Sequence, residues 1–372
     1  MYSTPDVHAL SQNLAGRDVL TVYLAAEEQD PARRSRWRAR LASMLDAVRA
    51  STEEDNDDLE AAIGHLQDAL SGVSGFLPGP GWAGFATAGG MEWSGPLAAP
   101  TPDLARWRTG PVLAPCLRAL KQARPVAVAL VDARRTRVFR YLAGALEEVV
   151  ELRTEGALDD ISAQSGSKRA ATRSGVRGET GTDAAQRALQ VETERMLKEA
   201  AGAVRDVAGD AGLAVVGGTP EPTAALVWLL SPALGDRLHE DRSLFTGMTT
   251  AQAQKEVEEA ASEVSARMQQ AVVDEVVEAA GSGGRGALGS AAVGRAAGLG
   301  QVERLVLTAS FAEARLEDAE TLIAGTLAHG GAVEVVGGEA AAVLDREGGL
   351  AARLRFVQRA APGVEGGLRT AV

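Results

Sequence analysis

Between residues 162 and 187 the chain sets Lys168, Arg169, Arg173, Arg177 and Arg187 among Gly166, Gly175, Gly178 and Gly181, against only Glu179 and Asp183. Guanidinium forks pair with phosphate oxygens in bidentate fashion. Glycines lacking a Cβ let backbone approach a ligand closely. The combination points to contact with a phosphate-bearing polymer such as RNA. Val176 is the sole strong apolar anchor in the stretch, and no helical or strand period runs through it. An aperiodic stretch of about twenty residues is either functional or disordered. A solvated, ligand-free loop is therefore the competing reading.

Other chemistries are poorly provided for. The single cysteine, Cys116, rules out an intramolecular disulfide or a cysteine-cluster metal site, and it reads as an inert core residue. His8, His65, His239 and His329 are scattered, with no HExxH pair. No metal and no small-molecule cofactor is expected. Asp132 closes a strand-like run and reads as a turn or cap residue. Gly217-Gly218-Thr219 reads as a turn before a helix, because no GxxxxGK[ST] stands anywhere. Arg33, Arg34, Arg36, Arg38 and Arg40 could face RNA, but a solvated helix face balanced by the acids at 53–60 is the commoner arrangement. The formal net charge of −12 argues against unspecific coating of nucleic acid, while leaving room for a local basic patch.

The elements that must position these residues follow from pattern. At 372 residues the chain is too long for one ordinary core. We read an N-terminal α+β domain over 1–122, a middle domain over 123–245 and a C-terminal domain over 246–372. In the first, DVLTVYLA (18–25) is a buried strand and Pro31 opens a helix. An acidic start at 53–60 opens a second helix, and runs 82–87 and 90–94 form a hairpin. The proline-bearing stretch 96–115 reads as a connection to the middle domain. There, strands at 125–132, 136–142 and 148–153 precede the glycine- and arginine-rich loop. A helix at 183–207, a strand at 213–217 and a helix-prone run at 223–230 follow. In the last part, a helix over 250–280 precedes a glycine-rich connection at 281–286. Strands at 304–308 and 332–336 flank a helix at 316–328. The fold class is α/β with an α+β N-terminal domain: a mixed-sheet middle domain carrying the long loop, and an α/β/α sandwich at the C-terminus.

Several pieces carry a family likeness. They are VALVD (128–132), RVF (137–139), Gly144 and AVVGG (214–218) in the middle. Further along come AAVG (291–294), VERLVL (302–307), AVEVV (332–336) and GGLAARLRF (348–356). In order and spacing this series, covering roughly 123–360, resembles the archaeo-eukaryotic class-1 peptide-release factors, their Pelota relatives and the bacterial branch of that superfamily. The resemblance implies a translation-associated role, with the ribosome or a tRNA as partner and the middle-domain loop entering the peptidyl-transferase centre. Ribosome rescue or quality control is the implied context, and peptidyl-tRNA hydrolysis or tRNA cleavage the implied reaction class. A protein partner on the C-terminal domain is implied as well. In such chemistry backbone and amide groups position water against the peptidyl ester.

The family's Gly-Gly-Gln triplet does not occur here. Gly166-Ser-Lys168 is its nearest echo, so Gln164 and Gln186 are the candidate catalytic glutamines, with Lys168, Arg169, Arg173, Arg177 and Arg187 as RNA-binding residues. No Asn-Ile-Lys-Ser motif is present, and stop-codon reading is not expected. The alternative reading is a non-catalytic protein-binding adaptor that keeps the fold without the chemistry. The first residues carry neither a basic nor an apolar targeting segment, and the longest apolar run is about half of the ~20 residues a membrane span needs. A cytoplasmic location without membrane contact is expected.

Overall fold

Three mixed or antiparallel sheets organise the described residues, each packed by helices. The structure is a computed structural model that describes residues 6–26, 36–52, 56–154, 181–281 and 284–356, with backbone alone for 181–186. Its contacts fall into two compact units, Met1–Ala119 with Gln269–Val372, and Leu120–Met268.

In the first unit, α1 (Val7–Asn13) precedes β1 (Asp18–Ala25). Next come α2 (Arg36–Ser51), α3 (Asp57–Leu70), β2 (Gly81–Thr87), β3 (Gly90–Leu97) and β4 (Leu104–Thr109). The sheet order is β3-β2-β1-β4, antiparallel throughout. Six consecutive residues of β1 are buried because both its faces are covered. Leu20, Val22 and Leu24 meet Leu41, Leu45, Ile63 and Leu66 from α2 and α3 on one side. On the other, Tyr23 packs edge-on against Phe85 at 6.0 Å. Asn56 caps α3 by accepting from Leu59 N at 2.8 Å, and three acids fill its first turn. The stretch 96–115, expected to be a connection, instead supplies β4. Its alternating LARWRT pairs with β1 from Asp18↔Thr109 to Tyr23↔Leu104. None of the prolines lies inside β4, and Pro96 sits in β3, the other edge strand, where a missing N–H is tolerated. Then α4 (Ala114–Gln122) begins.

The same unit holds a second sheet, of order β10-β13-β11-β12. Its strands are β10 (Gly286–Leu288), β11 (Val302–Thr308), β12 (Ala332–Val336) and β13 (Leu350–Leu354). β11 and β12 run parallel, and the other pairs are antiparallel. Between them lie α8 (Gly289–Gly298), α9 (Ala309–Ala314), α10 (Leu316–Ala328) and α11 (Gly338–Asp345). Val306, Val336 and Ala351 face Ala340, Leu344, Val273 and Val276, the last two from the end of α7 (Thr250–Gly281). The alternate residues Leu305 and Leu307 point to the opposite face, where α8 and α10 contact the sheet. Helices on both faces make this the α/β/α layer that the sequence pattern predicts.

The second unit is built on β7-β6-β5-β8-β9, namely β5 (Val126–Val131), β6 (Arg135–Leu142), β7 (Ala145–Arg153), β8 (Leu213–Gly218) and β9 (Leu238–Glu240). β5, β8 and β9 are parallel; β6 is antiparallel to β5 and to β7. All six residues of β5 are buried, which explains its unbroken VAVALV run. Ala127, Ala129 and Val131 meet α5 (Gly181–Ala208) and α6 (Pro220–Leu234) through Leu197, Val204, Leu226 and Leu230. Val126, Val128 and Leu130 meet Val257, Ala260 and Val264 of α7. That helix opens with a capping box. Gln252 N donates to Thr249 Oγ1 at 3.3 Å, and Gln252 Oε1 accepts from Thr249 N at 3.0 Å. No helix among the described residues is long and apolar enough to cross a membrane.

Candidate nucleic-acid interface

The C-terminal ends of β5, β8 and β9 lie along one edge of the middle sheet, because the three strands are parallel neighbours. In open α/β sheets this edge is where ligands bind. Asp132, the residue after β5, organises it. Its Oδ1 accepts from Arg134 N at 2.7 Å and Arg135 N at 2.8 Å, closing the β5–β6 turn. Its Oδ2 accepts from the Thr246 hydroxyl at 2.6 Å, tying in the turn that follows β9. Three further hydrogen bonds hold that second turn. Asp241 N donates to Val216 O at 2.9 Å, and Asp241 Oδ1 accepts from Ser243 N and Oγ at 2.8 and 2.7 Å. Asp132→Ala should therefore free three donors at once. A net loss of about 1–3 kcal/mol is expected in denaturant unfolding, with Asp132→Asn recovering part of it. A silent Asp132→Ala would refute the bridging role.

Arginines crown this edge. Arg134 is exposed at the turn, and its carbonyl accepts from Thr154 N at 3.0 Å, so segment 155–180 departs beside it. Arg135 and Arg153 share one carboxylate, Glu151, at 2.6 and 2.7 Å. Hydrogen bonds from Arg153 and then Arg135 hold that carboxyl below its ordinary range. Two guanidinium groups on one acid leave a net positive charge. Exposed ion pairs of this kind are worth about 0–1 kcal/mol, so the arginines stay available to a stronger anion.

Segment 155–180 returns to the described structure at Gly181, the first residue of α5. Thr193 Oγ1 of that helix donates to Ala133 O at 2.7 Å. The helix therefore meets the β5–β6 turn at Thr193, and the residues before it run about 18 Å further along its axis at 1.5 Å per residue. No described side chain from Arg187 to Arg195 is buried; burial begins at Met196. The described residues on either side, Thr154 and Gly181, thus stand at an arginine-bearing sheet edge and at the start of a projecting helix.

Residues 111–266, which contain every group just described, match the model of Bacterial archaeo-eukaryotic release factor family 10. That segment, less than half of the chain, is similar to the bacterial branch of the archaeo-eukaryotic release factors and includes the whole middle sheet. Among solved structures, Saccharomyces cerevisiae Dom34, a translation termination-like factor involved in RNA quality control pathways and interacting with Hbs1, is 14% identical with a TM-score of 0.46. That match covers 62% of this chain and 63% of Dom34, so the chain spans less than two thirds of that relative. Archaeoglobus fulgidus Pelota is 17% identical over 75% of this chain and 81% of its own, with a TM-score of 0.36. Archaeal Pelota in a ribosome-bound model with ABCE1 is 15% identical over 96% of this chain and 95% of its own, with a TM-score of 0.41. No curated protein matches the chain.

Within the release-factor segment, Gly181, Gln186 and Arg187 stand on the first turns of α5, where Gln186 is described by its backbone and Arg187 is exposed. Gln164, Lys168, Arg169, Arg173, Arg177, Gly166, Gly175 and Gly178 lie outside the described residues. The sequence alone did not single out Arg134 and Arg135, which lie between the strands at 125–132 and 136–142, or Arg153, the last residue of the strand at 148–153. Their signal was the adjacency of two arginines to a strand-ending aspartate. Gly217-Gly218 is a close approach of strands. Thr219 N donates to Val131 O at 2.9 Å, and its side chain makes no cap bond.

Arg38 and Arg40 of α2 serve their own unit. Arg38 donates to Val73 O at 2.6 Å, and Arg40 pairs with Asp103 at 3.0 Å. Arg33 and Arg34 lie outside the described residues. Cys116 is fully buried, and burial together with the Glu320 charge pushes its thiol up to about 12, which keeps it unreactive. Among the described residues no group of three or more His, Cys, Asp or Glu side chains is placed to hold a metal ion.

Proposed function

We propose that this chain is a translation-associated factor that binds the ribosome or a tRNA through segment 155–180 and the arginine-bearing edge at its root. The observation carrying this reading is the coincidence of three features inside the release-factor segment. They are the departure of 155–180 beside Arg134, the Arg135–Glu151–Arg153 cluster and the projecting start of α5. Lys168, Arg169, Arg173, Arg177 and Arg187 are the phosphate-binding residues, and Gly166, Gly175, Gly178 and Gly181 allow close backbone approach. Gln164 and Gln186 are the groups available to orient water at a peptidyl-tRNA ester. With no Gly-Gly-Gln triplet present, binding without efficient hydrolysis is expected. The same absence favours a second reading, an adaptor that engages a protein and no RNA.

Changing Arg169, Arg173 and Arg177 together to glutamate should abolish co-sedimentation with purified ribosomes. Wild-type affinity should fall with salt by about 0.7–0.9 logarithmic units per phosphate contacted. Equal binding by wild type and the triple variant would sink the RNA reading and leave the adaptor. Peptidyl-tRNA turnover lost in Gln164→Ala or Gln186→Ala would assign the water-positioning role.

A further inference from the structure

The turn after β9 exposes a side chain that the fold has no use for. Phe245 is 53% exposed, although its neighbour Leu244 is 1% exposed in the core against α7. Arg242 in the same turn has a 93% exposed side chain and only a 3.6 Å contact with Glu240. A lone exposed apolar residue is ordinary. This one sits on a turn bonded to the same carboxylate as the β5–β6 turn: Thr246 binds Asp132 Oδ2, while Arg134 N binds Oδ1. The turn is also seated without slack, since a Cβ added at Gly217 would collide with Asp241 O and Leu244. Phe245 and the exposed Arg134 are thus carried by two turns pinned to a single point.

The charges on this edge are sorted by depth. Asp132 and Asp241 spend their oxygens on backbone N–H and hydroxyl groups of the two turns. Glu151, 31% exposed, lies between two arginines, while Arg153 reaches 68% exposure. Cations and an aromatic ring therefore face outward, with Asp132, Asp241 and Glu151 engaged by the turns and arginines and the exposed Glu240 standing 3.6 Å from Arg242. Aromatic platforms flanked by arginines suit unpaired nucleotides, because every base offers a π-face and every linkage a phosphate.

We propose that Phe245, with Arg242 and Arg134, forms a stacking platform for an unpaired RNA nucleotide. It is a contact additional to any made by residues 155–180, and it rests on the ribosome- or tRNA-binding reading. The platform gives grip independent of salt, whereas the arginines give grip that salt weakens.

The test measures affinity for purified ribosomes and for an unpaired oligoribonucleotide, its duplex form serving as control. The proteins are wild type, Phe245→Ala, Phe245→Trp, Arg242→Gln and the triple variant at Arg169, Arg173 and Arg177. Phe245→Ala should bind both single-stranded and ribosomal RNA about tenfold more weakly with an unchanged salt slope. Phe245→Trp should restore binding, and Arg242→Gln should reduce the slope by roughly one phosphate. Wild type should prefer the unpaired strand to the duplex. If Phe245→Ala binds like wild type while the triple variant does not bind, the platform is wrong and the ribosome-binding reading stands. If wild type ignores ribosomes, that reading falls, and equal oligoribonucleotide binding by wild type and Phe245→Ala overturns the platform as well. Matching thermal melts confirm that the exposed substitutions leave the fold intact.

Discussion

Gly218→Ala should destabilise residues 120–268 by several kcal/mol. Gly218 ends β8 at φ +142°, opposite Val131 in the parallel pair with β5. An added Cβ would collide with Val131 O and lie 2.7 Å from Val131 C and 2.8 Å from Val131 N. These are backbone atoms of the central strand, so no rotamer change can make room. Backbone strain in this region of φ costs about 1–3 kcal/mol, and forced overpacking about as much again. Together they come to about 2–6 kcal/mol, a large part of the 5–15 kcal/mol that holds an ordinary domain. Gly144→Ala is the control. It too has positive φ, at +80°, but nothing lies within 4 Å of its added Cβ. It should cost only the backbone strain, about 1–2 kcal/mol. Denaturant unfolding and limited proteolysis read both. A Gly218→Ala protein melting within a few degrees of wild type would show that β5 and β8 are not paired in this register.

That pairing also marks where the sequence stops being legible. β1, β5, β8, β11 and β12 could be read directly because each is a buried run of apolar residues bounded by turn residues. β4 could not, since its arginines and flanking prolines hide a strand whose partner, β1, lies some eighty residues earlier. β9 and β10, three residues each, are too short to show a period and exist only through their neighbours. The candidate site divides in the same way. Gly181 and Arg187 announce themselves by composition. Asp132 reads correctly as a turn residue, yet its bond to Thr246, 114 positions away, is a tertiary fact no local pattern contains. Phe245 could be seen in the sequence, but its exposure could not. Glu320 is the instructive miss. It falls on the stripe Leu316, Ala319, Glu320, Ile323 and Leu327 of α10, and a charged residue at an apolar position was a signal available without coordinates.

Glu320 should give the protein a stability that falls as pH rises through the range from about 4.5 to about 7. The side chain is 2% exposed. Its carboxylate accepts from Leu113 N at 2.8 Å and Ala114 N at 2.9 Å, the start of α4. Around it stand Tyr23, whose hydroxyl donates to Val112 O at 2.7 Å, and the Cys116 thiol. Arg108, paired with Glu317, completes the surroundings. Burial dominates and raises the Glu320 carboxyl from 4.5 to about 7; the N–H groups of Ala114 and Leu113, then Arg108, oppose the rise, and Glu317 adds to it. The folded state therefore holds a proton that the unfolded chain has already released over this window. By linkage its contribution is present below about 4.5, shrinks as pH climbs and is gone above about 7, a change on the order of 3 kcal/mol. Glu320→Gln cannot ionise, so the stability difference between wild type and this variant should shrink or reverse from pH 5 to pH 8. Glu320→Ala leaves both N–H groups without their acceptor and opens a cavity, and should lose about 2–5 kcal/mol at pH 5. Denaturant midpoints at pH 5, 6, 7 and 8 decide the matter. Parallel curves for wild type and Glu320→Gln would mean that the carboxylate stays ionised throughout, its charge held by the two N–H groups and Arg108.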